Sequence, residues 1–270
     1  MHTASTFGPL LRRWRSSRRF TQEQLAQDAE VSTRHLSFLE SGKANPSREM
    51  VLVLASALEL ELRDRNVLLG AAGYAPLYRA SPLEAASMAT LRHAIELLLR
   101  QQEPYGAVVV DRLWNVLQWN DGARRLFGHL LPMPPSDPRV ATNVLHALFS
   151  PEGLRPWIVN WDQVASFTME RLHREIALHP EDEERRELRR ELLGYADVPE
   201  RLRVTDLRAS VDPFLSMHIR KDGLELRLLS TLTTLGTPLD VTAQELVIES
   251  YFPADAESDR VIRALDGSRA

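Results

Sequence analysis

Apolar positions near the start of the chain recur every three or four residues, and the same spacing returns, broken by caps, up to about residue 73. Phe7, Leu10, Leu11 and Trp14 predict a first helix. Thr21 caps a second that carries Leu25 and Ala26, and Ser32 caps a third that carries Leu36 and Leu39. Pro46-Ser47 opens a fourth, striped by Val51, Leu54, Ala55 and Leu58, and a fifth runs from about Leu62 to Ala71 and stops at Gly73. Tyr74 to Pro82, with prolines at 76 and 82, reads as a linker. Leu83 to Glu103 then reads as a long helix. Its Met88, Leu91, Ile95 and Leu98 have the spacing of a coiled-coil seam, and packing onto the chain's own sheet fits them equally well.

Beyond that helix the period shortens. Ala107 to Val110 and Val116 to Trp119 predict two strands joined by a turn around Asp111-Arg112, and Gly122 to Leu130 returns to helix. Pro132 to Pro138 is a proline-rich loop, and Val140 to Leu193 is mostly helical. Phe214 to Arg220, Leu224 to Leu235 and Gln244 to Phe252 predict three more strands, and Asp255 to Leu265 a closing helix. No repeat is visible. The expected architecture is an all-α N-terminal domain followed by an α+β domain with an antiparallel sheet.

Composition narrows the classes. A chain of 270 residues suits two domains, expected at 1–73 and 84–270 with a linker at 74–83. The absence of cysteine excludes disulfides, thiolate metal sites and cysteine nucleophiles. The apolar runs are too short for a membrane span, and Met1 to Pro9 has no signal-peptide pattern, so a cytoplasmic protein without a membrane partner is expected. Net charge is −4, but it is unevenly divided: residues 1–73 hold 10 Lys/Arg against 8 Asp/Glu, and the remainder 23 against 29. Arg12, Arg13, Arg15, Arg18 and Arg19 crowd one short stretch. A basic module on an acidic body fits DNA contact at one end, although a merely solvated basic face has the same signature.

The sharpest motif is Thr21-Gln22-Glu23-Gln24-Leu25-Ala26 followed by Val31-Ser32-Thr33-Arg34-His35-Leu36-Ser37-Phe38-Leu39-Glu40-Ser41-Gly42. Two short helices that cross steeply need a small residue where they touch, here Ala26, and a cap each, here Thr21 and Ser32. With Leu36 and Leu39 inward, Thr33, Arg34, Ser37 and Phe38 face outward, as a helix lying in a major groove requires. Arg34 suits a bidentate contact to guanine and Phe38 a thymine methyl. Gln22 is placed to reach a phosphate or steady a neighbour, and Lys43, Asn45 and Arg48 to meet the DNA backbone. The segment resembles the Xre-type helix-turn-helix family over about residues 7–73, which implies a double-stranded operator and a homodimer. Glu30 departs from the family, which often has glycine at this turn; a positive φ there costs a non-glycine residue about 1 kcal/mol.

In the second part, Ala107 to Asp111, Trp114 to Asn120, Ala123 and Leu126-Phe127-Gly128 resemble the opening of a PAS domain. Joined to an Xre-type head, the chain resembles the MmyB-like regulators, as do Asn143 to Phe149 with Pro151, Trp161 onward, and Asp240 to Leu246. The resemblance implies a PAS-like domain with an apolar hollow for a small apolar or fatty-acid-like ligand. Trp119, Phe127, Leu145 and Phe149 can line such a hollow, together with Trp161, Phe167 and Met217; each also fits an ordinary core position. His146 can hold a ligand carboxylate or be a satisfied buried histidine, and Arg155 near Trp157 is a candidate clamp for such a carboxylate. A ligand-free interaction or dimerisation platform is the rival reading of this domain. No nucleophile elbow, phosphate loop or His-Glu-x-x-His is present, so neither catalysis, nor a metal, nor a resident cofactor is expected.

Overall fold

The computed structural model describes residues 7–131, 135–203 and 216–267. The chain forms two compact units. The first, up to Pro82, also takes in Arg174–Glu183 and Thr237–Gln244; the second holds the rest.

Up to Pro82 the described residues of the first unit form five helices: α1 (Phe7–Ser17), α2 (Gln22–Asp28), α3 (Thr33–Glu40), α4 (Arg48–Ala57) and α5 (Leu62–Ala71). Their starts are fixed by side-chain caps. Thr21 Oγ1 accepts from the Gln24 amide while Gln24 Oε1 accepts from the Thr21 amide, and the Ser32 and Ser47 hydroxyls accept from the His35 and Met50 amides. α5 lacks such a cap, and Gln244 Oε1 accepts from the Leu62 amide instead, at 2.7 Å. Phe7, Leu11, Trp14, Leu25, Leu36, Leu39, Leu54 and Leu68 interlock as one core. At Gly8 the crossing of α1 over α3 is so close that a Cβ would stand 2.5 Å from the Leu39 carbonyl oxygen. Glu30 has the positive φ expected of the turn, 53°.

Residues 74–82 are not a free connector. Asn66 on α5 holds them, its Oδ1 accepting from the Leu77 and Tyr78 amides and its Nδ2 donating to the Tyr78 carbonyl. Within the same unit, buried His179 places Nδ1 2.7 Å from Oδ2 of buried Asp64.

The second unit begins with α6 (Ala89–Gln101), shorter than the Leu83–Glu103 helix expected. Arg92 donates to the Leu83 and Ala85 carbonyls and folds the preceding segment back, so a single 3-10 turn, Ala86–Met88, precedes the helix. Then come β1 (Ala107–Val110), β2 (Val116–Trp119), α7 (Asp121–Leu130), α8 (Pro138–Thr142), α9 (Val144–Phe149), α10 (Trp161–Leu178) and α11 (Glu183–Leu193). β3 (Ser216–Lys221), β4 (Leu224–Thr234), β5 (Val247–Pro253) and α13 (Ala256–Leu265) follow, while α12 (Val241–Glu245), between β4 and β5 in the chain, falls but for Glu245 in the first unit's Thr237–Gln244 segment. The strand expected from Gln244 starts later, because Asp240 Oδ1 accepts from the Thr242 amide and turns Val241–Glu245 into a helix. Phe214, the expected start of β3, and Pro132 lie outside the described residues, as do residues 1–6 of the N-terminal stretch.

All strand pairs are antiparallel, in the order β2-β1-β5-β4-β3. β1 is buried on both sides. Ala107 and Val109 pack with Ile95 and Leu99 of α6, and Ile248 joins them. Thus α6 spends Ile95 and part of Leu91 on its own sheet, leaving Leu97 and Leu98 exposed. Asn120 locks the opposite end: its Oδ1 accepts from the Ala107 and Ala123 amides, and its Nδ2 donates to the Leu99 and Tyr105 carbonyls.

Two substitutions test the first unit. Glu30→Gly removes the left-handed strain and should stabilise it by about 1 kcal/mol. Gly8→Ala should cost about 2 kcal/mol by prising α1 from α3. Urea melts of the purified protein read both; equal stabilities would contradict these local geometries.

Candidate functional site

The outer face of α3 follows from what its inner face buries. Leu36 and Leu39 are fully enclosed, and Ala26 is buried on α2, which packs against α3. Thr33 and Arg34 are exposed, Ser37 is half-buried, and Phe38 keeps about a third of its surface in solvent (36%). The Arg34 guanidinium lies 5.4 Å and the Lys43 ammonium 5.9 Å from the Phe38 ring centroid. An apolar ring on the surface is thus flanked by two cations, an arrangement worth about 0.5–1 kcal/mol per pair when exposed. Asn45 and Arg48 are exposed beyond the end of α3.

A buried carboxylate holds that face in place. Glu40, the last residue of α3, accepts from Arg15 Nε at 2.6 Å and Nη2 at 2.9 Å, a bidentate pair, and from Gln22 Nε2 at 2.7 Å. Gln22 therefore braces α2 against α3. Arg15 also donates to the Phe20 carbonyl. Sequence reading missed this pair, since nothing in the pattern joins residues 25 positions apart; the glutamate ending an amphipathic helix was its one trace. The arginine cluster is also less available than its charge suggests. Arg15 is internal, Arg13 pairs with Glu181, and Arg18 donates to the Leu178 carbonyl.

In the second unit a narrow apolar hollow lies between the β1–β2 side of the sheet and α7, α8 and α9. Val108, Val116, Trp119, Phe127, Val140 and Val144 line it, with Ala147 and Leu154. Of the nine expected ligand residues, Trp119 and Phe127 are there, with ring centroids 5.9 Å apart. The others are not brought to it. Leu145 and Phe149 are buried core residues, and Phe149 meets Trp161 edge-on while the Trp161 indole donates to the Leu148 carbonyl. Arg155 stacks over Trp161 at 4.2 Å and donates to the Ala196 and Asp197 carbonyls, so its fork is occupied by the backbone. Phe167 is exposed, and Met217 is half-buried on β3.

His146 is buried, with Nδ1 2.8 Å from the Tyr195 hydroxyl and Nε2 3.2 Å from Glu191. Burial, then the charge of Arg139, holds its imidazole below the ordinary histidine range against the pull of Glu191 and Asp137. Burial likewise pushes the Tyr195 phenol up to about 12. Among the described residues no group of three or more His, Asp or Glu is arranged to hold a metal ion, and no helix is long and apolar enough to cross a membrane.

A helix-turn-helix with a free outer face, followed by a sensor-sized α+β unit, defines a DNA-binding transcription regulator with a ligand-binding domain. Comparison with family models agrees: residues 6–68 match a helix-turn-helix domain, and residues 91–265 match the MmyB-like transcription regulator ligand binding domain. The chain belongs to this MmyB-like family. Among solved structures, the restriction-modification controller protein C.AhdI from Aeromonas hydrophila is 31% identical over 24% of this chain and 98% of its own, with a TM-score of 0.23. An RNA-binding light-oxygen-voltage receptor is 13% identical, covering 97% of this chain and 62% of that one, with a TM-score of 0.27. At those scores neither likeness bears on the argument. A comparison with curated proteins gives no match.

Two outcomes follow. Glu40→Ala strands the Arg15 charge and should destabilise the first unit by about 3 kcal/mol, whereas Arg34→Ala should leave thermal melting unchanged; calorimetry separates them. His146 binds its proton less readily folded than unfolded, so its contribution to stability is whole above the unfolded pKa and is lost as pH falls through the folded value. His173, also held low by burial and then by Arg189, acts in the same direction. Stability should therefore fall as pH drops below the ordinary histidine range, about 6.5, less steeply in His146→Gln; parallel slopes would contradict the assignment.

Proposed function

We propose that the protein is a homodimeric, ligand-gated regulator that reads an operator with Thr33, Arg34, Ser37 and Phe38. The observation that carries this reading is the outer face of α3, where Thr33 and Arg34 stay in solvent while Leu36 and Leu39 are buried. Arg34 leaves the Phe38 ring to take a guanine edge, and the ring takes a thymine methyl. Lys43, Asn45 and Arg48 hold phosphates, and Gln22 acts by fixing α2 to Glu40. Two copies set their recognition helices one DNA turn apart, about 34 Å, and a small change in that spacing alters affinity.

The second domain, whose strand order and flanking helices suit a PAS-like sensor, takes a small apolar or fatty-acid-like molecule into the hollow floored by Val108 and Trp119. A guest that favours one arrangement of the dimer shifts the population between DNA-competent and incompetent forms. The exposed Leu97 and Leu98 favour a second reading, in which this domain is chiefly a dimerisation platform. Mass spectrometry of the purified, denatured protein separates them: a co-purifying amphiphile supports sensing, and consistently empty protein supports the platform.

Gel shifts on the protein's own promoter DNA test the reading face. Arg34→Ala should abolish specific retardation in a folded dimer, and retention of specificity would remove Arg34 from the interface. Lys43→Ala should weaken binding on every sequence and reduce the salt slope by about one unit; loss on one sequence alone would make Lys43 a base reader.

A further inference from the structure

A second void lies under α7, further along the sheet face that floors the hollow. Gly106, Gly122, Leu126 and Tyr251 line it, with Ile262 and Leu265 of α13. Gly106 stands two residues before Val108, so the hollow and this void follow one another along β1, about 7 Å apart. α7 covers both, because Leu126 borders the second void and its chain neighbour Phe127 borders the hollow. Arg125, paired with Glu103 and Asp266, gives the second void a charged rim.

One aromatic contact stands between the two. The Phe127 ring meets Tyr251 edge-on, 5.3 Å between centroids, and Trp119 at 5.9 Å. Ring quadrupoles favour edge-on pairing, so the contact is closed at rest. Tyr251 is tethered twice: its amide donates to the Gly106 carbonyl and its hydroxyl to buried Glu249, each at 2.8 Å. Phe127 is half-buried and has only its ring contacts to hold it, so it is the member of the pair that can turn.

We propose that Phe127 is a septum between two compartments of one binding trough and sets the length of linear alkyl chain that the protein accepts. The proposal rests on the reading that the hollow takes an amphiphile, and it names what limits that molecule. A chain entering the hollow gains by burying methylenes until its end meets the Phe127 ring. Two strand residues further on, the second void has room for the reach of about five more methylenes. Entering it requires the ring to swing aside and give up its contacts with Tyr251 and Trp119.

Isothermal titration of the full-length protein with octanoate, decanoate, dodecanoate and tetradecanoate, each below its aggregation concentration, tests the septum. Wild-type affinity should rise about fourfold per methylene at first and then level off within the series. In Phe127→Ala the rise should continue, so that tetradecanoate binds at least about tenfold more tightly than to the wild type. Adding Ile262→Phe, or Leu265→Phe should the first not fold, fills the second void from α13 and should abolish that gain. A wild-type rise unbroken to tetradecanoate, or the same plateau in Phe127→Ala, overturns the septum while leaving the amphiphile reading intact. So does a gain that survives the filling substitution, since the hollow alone was then widened. Binding of no alkanoate to either protein overturns both. Phe127→Leu, a milder truncation, should show a smaller gain of the same sign, and it decides the matter if circular dichroism finds Phe127→Ala unfolded.

Discussion

Three N–H donors from two other helices converge on the carboxylate of Glu40, and the direction in which α3 presents its outer face depends on that convergence. The arginine fork from α1 fixes the carboxylate in plane, and the amide of Gln22 fixes the entry of α2 against it. Charge-assisted bonds out of water tolerate little angular drift. The apolar core beneath, from Trp14 to Leu68, supplies most of the cohesion but not this orientation, because hydrophobic burial is non-directional. A reading helix must hold its side chains to within a fraction of an ångström of base edges. In this unit the polar brace supplies that precision.

The second unit uses polarity differently. Asn120 and Asn143 are buried amides whose bonds are all made to the frame, and each closes the start of a helix that borders the hollow. His146 is bound to Tyr195 and Glu191. The walls are therefore stiffened from behind by satisfied polar groups while their inner surface stays apolar.

The helices of the first unit were legible because they repeat apolar stripes and because α2, α3 and α4 begin with capping side chains, and both signals are local. Glu40 with Arg15 was not, because its partners are joined only by the fold. In the α+β unit the order of helices and strands could be read, but the strand expected from Gln244 begins too early because Leu246, Val247 and Ile248 follow so closely. The pocket residues were the least legible. Phe149 and Trp161 carry the same apolar signature as Trp119 and Phe127, and only three-dimensional packing tells an aromatic pair that fills the core from one that borders a hollow.

β1 is a partition one residue thick. Val108 bears on the hollow and its chain neighbour Val109 on Ile95 and Leu99 of α6, so a guest that displaces the first valine must shift the second. Interiors packed this densely pass displacement on rather than absorb it. The far side of α6, where Leu97 and Leu98 meet water, is thus separated from the hollow only by that partition and the helix itself, with no hinge between them.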